Sequence, residues 1–204
     1  SVFEDQALSI KSGGTAENPI IIDMYDGDVV GAEAGERPHI KGNGKNSFEY
    51  QGNQISYGLH IKNASHVQVN NVEISNQGDT RKLSVGLCVE AAGCGVMQEV
   101  LDAYGHTNVL IRNNYVEEAG GDAIVPMFSI KPVIEYNISN GASQNTKHTS
   151  MYNAGIWPWR CEDAVFQYNE CYGTILNGDG QAYDCDWSRG TIYQYNYSHD
   201  NEGG

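Results

Sequence analysis

Long hydrophobic runs are missing from this chain. No stretch approaches the roughly 18 apolar residues of a membrane-spanning helix, so no membrane insertion is expected. The opening residues, SVFEDQALSI, lack the basic and apolar regions of a secretory leader, which fits a mature or trimmed form. Positive charge is scarce as well. Twelve Lys and Arg against 26 Asp and Glu give a formal charge of −14, wrong for a nucleic-acid binder, whose affinity rests on neutralising phosphates. Acidic partners would be repelled too, which leaves neutral or weakly charged ligands. The five cysteines, Cys88, Cys94, Cys161, Cys171 and Cys185, show no paired metal-ligand spacing. Their odd number leaves at least one thiol unpaired, and buried structural cysteine is the expectation. Amphipathic runs of helix formers are few, whereas 24 Gly, 13 Tyr and many Asn suit strands separated by tight turns.

What the chain does have is internal repetition, and that outranks every other signal. Short apolar strand cores at Leu59, Ile124, Ile156 and Tyr183 are each followed ten residues later by a second core, at Val69, Ile134, Phe166 and Tyr193. Three of the second cores, and a further one at Ile111, carry an asparagine three residues on: Asn114, Asn137, Asn169 and Asn196. The first cores at Leu59, Leu87, Ile124, Ile156 and Tyr183 are separated by 28, 37, 32 and 27 residues. Such steps describe a common coil with insertions of different size, the largest at 93–107 and a shorter polar one, NGASQNTKHTSMYN, before Ile156. Insertions in a solenoid map to loops, often beside the binding face. The expected fold is an all-β solenoid of stacked coils in a single domain over 1–204, with opening coils at 1–54 and regular coils at 55–204. The last segment, NYSHDNEGG, stops where another coil would begin, so further chain or another subunit is expected to cover that end.

The phrases SGGTAENPIII, GERPHIKGNG, NVLIRNNYVEEAGGDAIV and DGQAYDCDWSRGTIYQYNYSHDNEGG, together with the coils and the asparagine position, resemble the right-handed parallel β-helix proteins of the pectate-lyase-like superfamily, which implies a right-handed parallel β-helix here. More narrowly, they resemble the secreted bacterial β-helix enzymes that degrade plant polysaccharides, among them a glycoside hydrolase family containing fucosidases and xylanases. The resemblance implies a secreted, periplasmic or surface-located bacterial enzyme with a polysaccharide or oligosaccharide substrate in a groove along one sheet. The polygalacturonase pattern of Asn-Thr-Asp, Asp-Asp and Gly-His-Gly is absent.

Strand side chains alternate faces. If the first cores point inward, an outward row follows: His60 and Lys62, Cys88 and Glu90, Val125 and Met127, Trp157 and Trp159, Asp184 and Asp186. Exposed indoles suit stacking on the carbon-bound face of sugar rings, which makes Trp157 and Trp159 a candidate platform. Asp184 and Asp186 are candidate catalytic carboxylates, because two neighbouring acids can titrate apart, one as general acid and one as nucleophile or base. Asp122 and Asp179, on turns feeding the same row, are reserves or turn caps. Arg160 would suit an acidic sugar or a bond to Asp186, and His199 and Glu202 are candidate groove-wall residues. No cofactor is required, although Asp179, Asp184 and Asp186 could share Ca²⁺ through oxygen ligands. The expected activity is glycosidic hydrolysis; a calcium-dependent polysaccharide lyase and a non-catalytic glycan-binding or adhesion module are the alternatives.

Overall fold

The computed structural model describes residues 1–26, 29–30, 36–50, 53–77, 83–90, 105–144, 153–176 and 178–204. Among them there is no helix. Most of the insertion at 93–107, Cys94, much of the polar loop before Ile156, and the side chains of Cys88 and Glu90 lie outside the described residues.

Three parallel sheets carry the fold. The first takes the strands Val2–Glu4, His39–Gly42, Glu73–Asn76, Tyr115–Glu117, Ile138–Asn140, Glu170–Tyr172 and Tyr197–His199, in that spatial order. The second takes Leu8–Ile10, Asn53–Lys62, Leu83–Glu90 and Ile124–Pro126, with Ser47–Tyr50 added antiparallel to Asn53–Lys62. The third runs from Ile20–Ile22 through Val67–Asn70, Val109–Arg112, Val133–Glu135 and Val165–Gln167 to Ile192–Gln194. Each sheet is therefore visited by successive passes of one chain.

The register follows the repeats. Leu59 pairs with Leu87 and Leu87 with Ile124, while single bridges join Ile124 to Ile156 and Ile156 to Tyr183. In the third sheet Val69, Ile111, Ile134, Phe166 and Tyr193 align one above another. These side chains bury fully up to Phe166 and, with Ile40, Ile74 and Val116 of the first sheet, fill the space between the sheets. Each large aliphatic residue so buried contributes about 1.5–3 kcal/mol of transfer free energy.

The repeated asparagine forms a ladder inside that core. The Asn137 side-chain oxygen accepts from the backbone N–H and the side-chain amide of Asn114, each at 3.0 Å, and its own amide donates to the Ile111 carbonyl at 3.0 Å. Asn169 and Asn196 repeat the pattern on the next rungs. Each asparagine thus satisfies backbone groups at a turn where no strand partner reaches them. The corner beside the ladder is left-handed throughout: Asn71, Asn113, Tyr136, Tyr168 and Tyr195 hold φ between 52° and 57°. Tyrosine rarely adopts that region, but here the three rings stack at centroid spacings of 4.9 and 5.1 Å.

One expectation needs correcting. The outward row of the second sheet is not an open face, because Phe48 and Ile55 of the antiparallel pair close over it. They form a second apolar cluster with Val125, Met127, Phe128, Ala154 and Trp157. Trp157, expected as an exposed platform, is 8% exposed and belongs to this cluster. Trp159 is half-buried and packs against it.

Candidate active site

The regular strand ends early along the row that carries the site. Bridges fall at Ile124, Ile156 and Tyr183 and then three residues on, at Met127, Trp159 and Asp186. Pro126 and Pro158 lack an amide to extend the ladder, and the next residues, Phe128, Arg160 and Trp187, turn the chain at φ of 51–52°. Asp184 and Asp186 therefore sit on a broken rung rather than on a continuous strand. The register still puts Asp186 beside Trp159 and Asp184 opposite Trp157.

Three of the four carboxylates expected from sequence feel the charge of the fourth. Asp184 is the common neighbour: its charge raises the pKa of Asp122, Asp179 and Asp186. In all three the larger cause is burial, which disfavours the ionised form. Asp186 also feels Asp179. Asp122 is the deepest. Burial pushes its carboxyl up to about 7 even though Oδ1 accepts the Ala154 amide at 2.9 Å and the Trp157 indole N–H at 2.8 Å. Asp122 thus holds the adjoining pass of chain instead of facing solvent. The turn-cap expectation for it becomes a bond between two passes.

Asp179 is presented by a turn between two glycines. Gly178 and Gly180 flank it at φ of 93° and 96°, where a side chain would be strained. The Gly180 amide donates to the Asn153 carbonyl at 2.8 Å, and the Gly180 carbonyl accepts the Gly203 amide and the Thr174 hydroxyl. Glu202 lies next to this turn and accepts the Leu176 amide at 2.9 Å. Asp184 accepts the Cys185 amide at 2.7 Å, and its backbone carbonyl accepts the Tyr193 hydroxyl. His199 stands apart: it lies on the first sheet, bound to Glu170 at 2.9 Å and Asp200 at 2.8 Å. Those two carboxylates hold its imidazole above the usual range.

Arg160 makes no ion pair with Asp186 among the described residues. Its guanidinium lies 5.6 Å from the Trp159 ring, 5.6 Å from the Trp187 ring and 6.0 Å from the Phe128 ring. Trp187, which sequence reasoning passed over, is 67% exposed and follows Asp186 directly. Its signal was available: it is the third tryptophan, and counting from the Ile156 and Tyr183 cores sets it level with Arg160. Among the described residues, Asp179, Asp184 and Asp186 do not bring three ligand atoms within 4.8 Å of one another; His39, Glu73 and Glu117 do.

No family model matches the chain. Over 163 aligned positions, covering 70% of this chain, it is 43% identical to the lacto-N-biosidase of Bifidobacterium longum subsp. longum. The chain is similar to lacto-N-biosidases. Two crystal structures of GH136 lacto-N-biosidase from Eubacterium ramulus, a selenomethionine derivative and the native protein, match it over its whole length. Their sequence identities are 26% and 25%, with TM-scores of 0.59 and 0.58. The chain spans about a tenth of the Bifidobacterium lacto-N-biosidase and half of each Eubacterium lacto-N-biosidase chain.

Proposed function

We propose that this chain is the site-bearing part of a glycoside hydrolase that cleaves a glycosidic bond in an oligosaccharide, as its lacto-N-biosidase relatives are named for doing. One observation carries the reading: in a chain 43% identical to a lacto-N-biosidase, Asp122, Asp179 and Asp186 converge on the charge of Asp184. The likeness supports an oligosaccharide and lends nothing to a plant polysaccharide. In this reading the stacked passes wind as a right-handed parallel β-helix, residues 1–204 form one domain of a longer protein, and the enzyme works outside the bacterial cytoplasm.

Two carboxyl groups that cleave a glycosidic bond must flank it. Asp179 and Asp186 arrive from different segments, one on the glycine-flanked turn and one on the rung beside Trp159. Asp184 shares its segment with Asp186 and has one oxygen engaged by the Cys185 amide. We therefore assign Asp179 and Asp186 as the reacting pair and Asp184 as the neighbouring carboxylate that, after burial, makes both harder to ionise. The proton of the reaction belongs to the pair. One member gives it to the glycosidic oxygen as the bond to the anomeric carbon breaks. The other, ionised, attacks that carbon or takes a proton from the attacking water. Trp159, Trp187 and Arg160 border the sugar, Glu202 braces the Asp179 turn, and Asp122 positions Trp157. The chemistry as written needs no cofactor.

The test is hydrolysis of a chromogenic lacto-N-bioside by the full-length enzyme. Asp179→Asn and Asp186→Asn should each lower kcat by roughly 10²–10⁴-fold. Asp184→Asn should cost less and move the acidic limb of the pH profile downward, because the charge that raises its neighbours is gone. If Asp184→Asn abolishes turnover while Asp179→Asn is mild, the reacting pair is Asp184 and Asp186. Rates unchanged in every variant, or unsaturated ultraviolet-absorbing products, would remove hydrolysis at this site.

A further inference from the structure

We propose that His39, Glu73 and Glu117 bind a first-row divalent transition metal ion, of which Zn²⁺ is the representative, on the outer face of the first sheet. The proposal is independent of the aspartate cluster. The three residues come from the adjacent parallel strands His39–Gly42, Glu73–Asn76 and Tyr115–Glu117. His39 is opposite Glu73, Glu73 is opposite Tyr115, and Ser75 is opposite Glu117. Period-two alternation therefore turns His39, Glu73, Ser75 and Glu117 to the same face, away from Ile40, Ile74 and Val116 of the core.

One ligand atom from each of His39, Glu73 and Glu117 lies within 4.8 Å of the other two. A single ion with bonds of about 2.0–2.2 Å closes that gap with small rotamer changes. The imidazole is already oriented. Nε2 lies 2.8 Å from the Ser75 hydroxyl, while Nδ1 lies 3.2 Å from Glu73 Oε1 and is turned toward the carboxylates. A polar partner on the far nitrogen is the arrangement that fixes a metal-binding histidine.

Charge points the same way. Two carboxylates and a ring nitrogen converge on one half-buried spot and call for a positive partner. Lys41, the next cation along this sheet, is paired with Glu4 at 3.5 Å. Calcium prefers six to eight oxygen ligands, whereas one imidazole with two carboxylates suits zinc or a similar metal with water completing the sphere. Such an ion would tie three consecutive passes together, so its binding should appear as added stability.

Equilibrium dialysis and thermal melts of the 204-residue chain with Zn²⁺, Mn²⁺ and Ca²⁺ test this. One Zn²⁺ per chain should bind, with a rise in Tm of several degrees that Ca²⁺ does not reproduce. His39→Gln, Glu73→Gln and Glu117→Gln should each weaken Zn²⁺ binding at least tenfold, while Glu162→Gln on another face should not. No saturable Zn²⁺ binding, binding unaffected by all three substitutions, or Ca²⁺ bound as tightly as Zn²⁺ would overturn the site. X-ray absorption at the zinc edge of the unaltered protein keeps the test decisive if a variant fails to fold. One imidazole nitrogen among oxygens supports the assignment; sulfur ligands or an all-oxygen sphere refute it.

Discussion

Asp122 and His106 are both buried and both resist carrying charge, and the two effects on stability run in opposite directions. Burial pushes Asp122 from 3.8 up to about 7, so between those values the folded protein holds a proton that the unfolded chain has lost. Its stabilising contribution is complete below about pH 4 and fades as the pH rises through about 7. Burial lowers His106 from 6.5 to about 4, against the Met127 carbonyl bond that favours its charged form. There the unfolded chain holds the extra proton, so the contribution of His106 grows as the pH rises from about 4 to 6.5. Each amounts to roughly 3–4 kcal/mol, and across this window they largely cancel. Asp122→Asn keeps an oxygen for the Trp157 indole and removes one of the two slopes. Urea melts should show the stability of that variant gaining a few kcal/mol on that of the parent between about pH 4 and 6.5. Parallel profiles in the two proteins would mean that Asp122 is not buried as described. Trp187, by contrast, is a surface residue. Trp187→Ala should move stability by less than about 0.5 kcal/mol yet raise KM roughly tenfold, as the loss of one aromatic contact implies. An unchanged KM would take the ring out of the sugar site.

At the scale of strands and turns, the asparagine ladder tests how the corners are held. Asn137→Ala strips the backbone N–H of Asn114 and the carbonyl of Ile111 of their partners inside the core. Each buried group left unpaired costs about 1–3 kcal/mol, so the variant should lose roughly 2–5 kcal/mol in urea unfolding. A loss below about 0.5 kcal/mol would show that the ladder is decoration on a stack held by apolar packing alone. The ladder and the strand register were both legible in sequence, because a repeat forces equivalent residues into equivalent places. Leu59, Leu87, Ile124, Ile156 and Tyr183 could be aligned by arithmetic, and they pair that way. The grouping of Asp122, Asp179, Asp184 and Asp186 followed from the same alignment. The burial of Trp157 did not. Alternation says which side of a strand a residue takes, but not whether that side is wet, and here the non-repeating residues Phe48 and Ile55 cover it. Trp187 was missed for a related reason: the left-handed corner at Phe128, Arg160 and Trp187 breaks the alternation just where the site begins.

Across the whole molecule, apolar side chains are left open on the first strands, with Val2 59% and Ile21 53% exposed, and on the final rung. The final rung, Ile192–Gln194 and Tyr197–His199, pairs on one side with Val165–Gln167 and Glu170–Tyr172. Its other edge has no partner among the described residues. Ile192 is 51% exposed, Tyr195 73% and Tyr197 60%, and the Tyr136–Tyr168–Tyr195 stack ends there with a bare ring face. An unpaired parallel edge flanked by aromatic rings is a template for another strand, whether from further chain or from a second molecule. The charge of −14 opposes association at low salt, and that repulsion is screened within about 8 Å at physiological ionic strength. The 204-residue chain should therefore associate with rising concentration, and more strongly as salt is added. Sedimentation velocity should find larger species in 0.5 M salt than in 20 mM, in the order of decreasing repulsion. Ile192→Lys with Tyr195→Lys places charge on the open rung and should return the chain to a monomer without lowering its Tm appreciably, since both residues are already in water. A chain that stays monomeric at every concentration and salt would show that the edge is closed by its own turns. Association that survives the lysine pair would move the contact to another face.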